Sequence, residues 1–161
     1  DGKGILSSHL HSEGKHAKEL ALEGPSTGRW IPEIIAENNP DDESYFPYMN
    51  GQFVFKHAVV RFSEAIVEGL DANGLQKEDI NMLIPHQANL RISQFIQRKF
   101  QLRDDQVYNN IMKYGNTTAA SVIIALTEAW EKGKINEGDL VVLAAFGSGF
   151  TWGSVVIRWC S

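Results

Sequence analysis

Between two stretches of helical periodicity lies INMLI, residues 80–84, in which only Asn81 is polar. A half-solvated strand alternates apolar and polar side chains; this run does not, so both its faces must be covered. Upstream, Phe55, Ala58, Val59, Phe62, Ala65, Ile66 and Leu70 recur at spacings of three and four, marking an amphipathic helix that stops before DANG. Downstream, Ala88, Ile92, Phe95, Ile96 and Phe100 form the stripe of another helix. A chain that alternates this way is committed to a mostly parallel sheet between helical layers.

The flanks extend the pattern. GILSSHLH alternates as a strand does, and VYNNI is a brief one. A helix is expected over residues 117–132, closed by Gly133, with Ala119, Val122, Ile123, Leu126 and Trp130 as the stripe that covers the sheet. Ala120, Ser121, Ile124 and Ala125 occupy its other side; only Glu128, Glu131 and Lys132 look wet. DLVVLAAF and WGSVVIRW, separated by GSGFT, read as an antiparallel pair. Residues 12–50 hold four of the five prolines, NNPDDES and several aromatics, and read as an irregular insertion with one short helix near Trp30. The expected fold is α/β, one domain over residues 1–161, with five strands of which the last is antiparallel and helices on both faces.

Composition narrows the function classes. A net charge of −5 argues against nucleic acid as the main partner. No apolar run approaches the roughly 20 residues of a membrane span, and no basic-then-apolar leader opens the chain. A single cysteine, Cys160, excludes an internal disulfide, suits a cytoplasmic location, and reads as a buried thiol in a strand. The chain opens on Asp1 and DGKG, which suits a processed chain or one lobe of a larger protein.

In open α/β sheets, ligands gather where strands end and loops leave for helices. His86 follows INMLIP, Asn116 follows Gly115 ahead of a helix, and FGSGF, residues 146–150, ends a third strand. A histidine after proline can be only a helix-start residue, and an asparagine before two threonines only an N-cap. Their joint placement with a glycine loop favours a shared site. His9, His11 and His16 invite a metal reading, since the first two face one side of a strand, but no cysteine nearby completes a set and no metal site is expected.

PHQANLRI, GNTTAAS and FGSGFTWGS resemble three carboxyl-half motifs of the β-ketoacyl-acyl-carrier-protein synthase III family, the initiating condensing enzymes of bacterial fatty-acid synthesis. MNGQFVFKHAV is similar to the segment before that family's first long helix. The likeness runs over residues 4–159 but covers only the second half of a family protein. Related elongating enzymes carry a second histidine where Asn116 stands, and thiolases a second cysteine.

The resemblance implies one thiolase-like lobe with a five-stranded mixed sheet, in a protein whose other, amino-terminal lobe carries the nucleophilic cysteine. Cys160 matches no catalytic position, so this chain alone is expected to be inactive. His86 and Asn116 are implied as the donors to the malonyl enolate, and the backbone N–H of Ser148 as part of the oxyanion hole. A positive φ at Ser148, where many members have glycine, would strain the serine. Asn89, Gly51, Phe55 and Phe146 are implied contacts of the pantetheine arm. Arg91, Arg98 and Lys99 form a basic face for docking acidic acyl-carrier protein, though a plain solvated helix face reads the same way. The implied substrates are acyl-CoA and malonyl-acyl-carrier protein, with no cofactor; the implied assembly is a homodimer of full-length chains. A non-catalytic scaffold lobe, or a related acyltransferase making ketones or quinolones, fits the same motifs.

Overall fold

The computed structural model describes residues 2–24, 43 and 46–160. Strand β1 (Gly4–Ser12) leads through a 3-10 turn (Gly14–Glu19) to a short ribbon of β2 (Leu20–Ala21) and β3 (Tyr48–Met49). The helix expected near Trp30 lies outside the described residues.

Helix α1 (Gly51–Asp71) starts where Asn50 accepts a side-chain hydrogen bond from Phe53 N–H at 3.3 Å. It buries Val54, Ala58, Val59, Phe62, Ala65, Ile66 and Leu70, the face that its spacing predicts except that Phe55 stays at the edge. Gly69 is demanded by packing, because a Cβ there would lie 2.8 Å from Val156 Cγ2. Next come β4 (Met82–Pro85), α2 (Leu90–Phe100), the single turn α3 (Ile111–Tyr114) and α4 (Ala120–Glu131). Strands β5 (Leu140–Gly147) and β6 (Thr151–Arg158) close the chain.

The sheet has four strands in the order β1-β6-β5-β4. Strands β4 and β5 pair in parallel, and β6 runs antiparallel to both β5 and β1. The expected fifth strand shrinks to one parallel bridge, Leu83 to Val107, with Tyr108 N–H on Leu83 C=O at 3.0 Å. The physical reason is a competing acceptor: the loop at Asn110 and Ile111 gives its N–H groups to the Gln87 side chain, not to a strand.

Period-two alternation divides the core into two layers. Leu140, Val142, Ala144 and Phe146 of β5 face α1 and α2 beside Phe62, Ile66 and Ile96. Val141 of β5, with Met82 and Ile84 of β4, packs on Ala125 and Ala129 of α4. Each such fully buried aliphatic side chain contributes roughly 1.5–3 kcal/mol.

Helix α4 departs from the sequence reading. Its sheet-facing side is Ser121, Ala125, Glu128 and Ala129, with Val122 and Leu126 at the margin, whereas Ile123 is 58% and Trp130 49% exposed. Small residues let the helix approach the sheet closely, so the large apolar ones turn outward. Glu128 is buried because Asn110, Lys113 and Lys132 all donate to it, which holds its carboxyl down at about 2. The helix begins at Ala120 and not Thr117, since Thr118 takes a left-handed φ of 53°. Cys160 lies beyond the end of β6 and is exposed, not buried.

Candidate active site

His86 sits one residue past β4, and its backbone N–H continues the parallel ladder onto Ala144 C=O at 2.8 Å. The ring is half-buried, and burial pushes its pKa down, so the neutral form is favoured. Nδ1 lies 2.5 Å from Ser121 Oγ on α4. Among the described residues Nε2 has no hydrogen-bond partner, and His86 lines a groove of about 1580 Å³.

Asn116 lines the same groove from the opposite loop. Its conformation is set by two left-handed neighbours, Gly115 (φ 68°) and Thr118 (φ 53°). A β-branched residue at positive φ is strained, and such strain persists only where its surroundings impose it. Asn116 Oδ1 accepts Thr118 N–H at 2.9 Å, which leaves the amide NH₂ as the free end. Among the described residues, the acceptor half of the side chain is occupied and the donor half is not.

Gln87 ties these two loops together. Its Nε2 donates to Pro85 C=O at 2.6 Å and to Tyr108 C=O at 3.4 Å, while Oε1 accepts Asn110 N–H at 3.0 Å and Ile111 N–H at 3.1 Å. Both donor and both acceptor positions of the amide are used, on a residue only 3% exposed. Sequence reasoning assigned no part to Gln87 or Ser121, because three of the four Gln87 partners and both Ser121 partners are remote in sequence. The only signal was the polarity of Ser121 inside an otherwise apolar stretch; Gln87 stands among other polar residues of PHQANLRI.

Ser148 forms the turn between β5 and β6 and lines the groove. Its carbonyl accepts from Thr151 Oγ1 at 3.0 Å, and no hydrogen bond among the described residues uses its N–H. The left-handed conformation falls on Gly149 (φ 131°), so the serine carries none of the expected strain. Asn89, Gly51, Phe55 and Phe146 all line the groove. Asn89 caps α2 by accepting Arg91 N–H at 2.9 Å, and Phe55 meets Phe95 edge-on at 6.5 Å. A Cβ on Gly51 would meet nothing within 4 Å, so this lobe's own packing does not require glycine there. Arg91, Arg98 and Lys99 are exposed on α2, and none forms an ion pair among the described residues; Arg91 alone of the three also lines the groove.

His9 and His11 both face Glu68 of α1, at 3.4 and 2.6 Å, while His16 packs against Phe53, His57 and Phe150. Among the described residues, no three His, Cys, Asp or Glu side chains converge as metal ligands do. No described helix is long and apolar enough to cross a membrane.

The sheet, its two helical layers and the groove at the carboxyl ends of β4 and β5 define a thiolase-like α/β lobe. The family model for 3-oxoacyl-[acyl-carrier-protein (ACP)] synthase III, C terminal, matches residues 70–159. The β-ketoacyl-[acyl-carrier-protein] synthase III of Caldanaerobacter subterraneus is 46% identical over 158 residues, covering 98% of this chain and 46% of its own length. That of Rhodospirillum centenum is 44% identical, with 98% and 45% covered. The crystal structure of the Thermus thermophilus synthase III superposes with a TM-score of 0.84 at 40% identity, over 99% of this chain and 47% of that one. The chain belongs to the 3-oxoacyl-acyl-carrier-protein synthase III family and corresponds to its carboxyl-terminal part. It spans just under half the length of these relatives.

Proposed function

We propose that this chain is the enolate-stabilising half of a condensing enzyme that starts fatty-acid synthesis from a short acyl-CoA and malonyl-acyl-carrier protein. One observation carries the reading. In a single groove, an imidazole engaged at Nδ1 and a primary amide engaged at Oδ1 leave Nε2 and the amide NH₂ without a hydrogen-bond partner among the described residues.

The cysteine thiolate of the other lobe attacks the acyl-CoA thioester and releases coenzyme A. Malonyl thioester then enters on its pantetheine arm past Asn89, Gly51, Phe55 and Phe146. Carbon dioxide leaves, and the electron pair of the broken C–C bond becomes an enolate. His86 and Asn116 donate to the thioester oxygen on which that charge builds, where preorganised donors act most strongly. The enolate carbon attacks the acyl-cysteine carbonyl, the N–H of Ser148 helps hold the oxyanion, and collapse returns the cysteine thiolate. A neutral imidazole and an amide suit this task, since a carboxylate in either place would repel the enolate. Arg91, Arg98 and Lys99 present an exposed basic face to the acidic carrier protein. Cys160 is not among the described groove residues, so this reading takes the nucleophilic cysteine from the other lobe.

The test is Asn116→Asp in the full-length protein. Malonyl decarboxylation should fall about 10²- to 10³-fold, while acyl loading of the cysteine is retained. Equal loss of both half-reactions would assign Asn116 to structure and sink the reading.

A further inference from the structure

We infer that Ser121 is a positioning residue that fixes the tautomer of His86 with its proton on Nε2, the nitrogen facing the groove. The inference rests on the donor role proposed for His86 and supplies what that role requires.

The argument is a count of protons. Ser121 Oγ lies 2.5 Å from His86 Nδ1 and accepts the backbone N–H of Gln87 at 3.1 Å. The hydroxyl has one proton to give, and among the described residues it makes no hydrogen bond to any acceptor other than Nδ1. Ser121 is 2% exposed, so water does not offer an alternative. Were Nδ1 the protonated nitrogen, it would donate to Oγ and strand the serine proton in a buried place, which native interiors avoid. With the serine hydroxyl donating to an unprotonated Nδ1, each group at the junction is satisfied and the imidazole proton is forced to Nε2. Burial of the ring opposes a second proton. Neutral imidazole therefore presents N–H, and not a lone pair, to whatever occupies the groove.

The geometry also explains a chain position. Ser121 is the second residue of α4, on its sheet-facing side, between the loop of Asn116 and the end of β4. The hydroxyl is where the two arms of the site touch.

Nitrogen NMR of the histidine-labelled 161-residue chain, assigned with His86→Gln, reads the tautomer without any activity. The wild-type ring should show a pyrrole-type Nε2 and a pyridine-type Nδ1, and Ser121→Ala should give a mixture of the two tautomers. Ser121→Thr, which keeps the hydroxyl, should restore the single form. A wild-type ring protonated on Nδ1 would overturn the inference, even if Ser121→Ala fails to fold. So would a Ser121→Ala ring that keeps the pure Nε2–H form. In the full-length protein, Ser121→Ala should slow malonyl decarboxylation about 10- to 100-fold, with acyl loading unchanged and recovery in Ser121→Thr. If His86→Gln leaves decarboxylation intact, the condensing reading fails, while the ring spectrum still decides the tautomer.

Discussion

Gln87→Leu tests the joint that aligns His86 with Asn116. Leucine matches glutamine in bulk but makes none of its four hydrogen bonds. Two of the partners are well buried: Pro85 C=O, reached at 2.6 Å, and Asn110 N–H, at 3.0 Å on a residue 6% exposed. Ile111 is only half-buried and the Tyr108 contact is long at 3.4 Å, so water replaces much of what those two lose. A buried group left unpartnered costs about 1–3 kcal/mol, which for two such groups gives a loss of about 2–6 kcal/mol. Against a typical total of about 5–15 kcal/mol that is a large fraction. Urea unfolding of the 161-residue chain measures it, and amide exchange at Asn110 and Ile111 localises it. In the full-length protein the same substitution should reduce malonyl decarboxylation more than acyl loading, because it frees the loop that leads to Asn116. A stability change within about 0.5 kcal/mol, with unaltered exchange at these two amides, would refute the reasoning.

Four further outcomes are expected. Arg91→Glu with Arg98→Glu should weaken use of malonyl-carrier protein far more than malonyl-CoA, and added salt should mimic it; equal effects on both substrates would remove the docking role. Gly51→Val should leave unfolding within about 0.5 kcal/mol of wild type, because its Cβ enters open space, yet raise KM for both pantetheine thioesters; unchanged KM values would show that the arm passes elsewhere. The exposed Ile123, Trp130, Met112 and Tyr114 should make the isolated chain self-associate, with Ile123→Lys dispersing it in sedimentation; a monodisperse wild type at high concentration would contradict this. Finally, burial lowers the His86 pKa below its unfolded value of about 6.5. Its contribution to stability is therefore full above that pH and is lost as pH falls through the folded pKa. The difference in unfolding free energy between wild type and His86→Gln should shrink over that acid range; a pH-independent difference would mean that the ring titrates as it does in the unfolded chain.

Local pattern made most elements legible. The all-apolar INMLI, the three-and-four spacing of α1 and the paired runs around GSGFT each express a constraint that acts within a few residues. Patterns that depend on a remote partner mislead. VYNNI has strand composition, but the N–H groups of Asn110 and Ile111 go to Gln87, so the pairing with β4 stops at the Val107 bridge and the Tyr108 N–H. Helix α4 is apolar nearly all round, so periodicity alone could not say which side meets the sheet. Close approach favoured Ala125 and Ala129, and Glu128 could be buried only because Asn110, Lys113 and Lys132 surround it.

The site divides in the same way. By itself the sequence determined which residue types stand at the ends of β4 and β5 and before α4, since motif and spacing are local. It therefore determined His86, Asn116 and Ser148 as candidates. Only the tertiary structure decided which atoms of those residues are left free. The Asn116 oxygen is taken locally, by the N–H of Thr118 two residues on, but the His86 Nδ1 is taken by Ser121, 35 positions away. Gln87 sets the two loops against each other across 23 positions of chain. Hydrogen bonds are directional and each donor serves few acceptors, so the chemistry a side chain retains depends on neighbours that only folding brings to it.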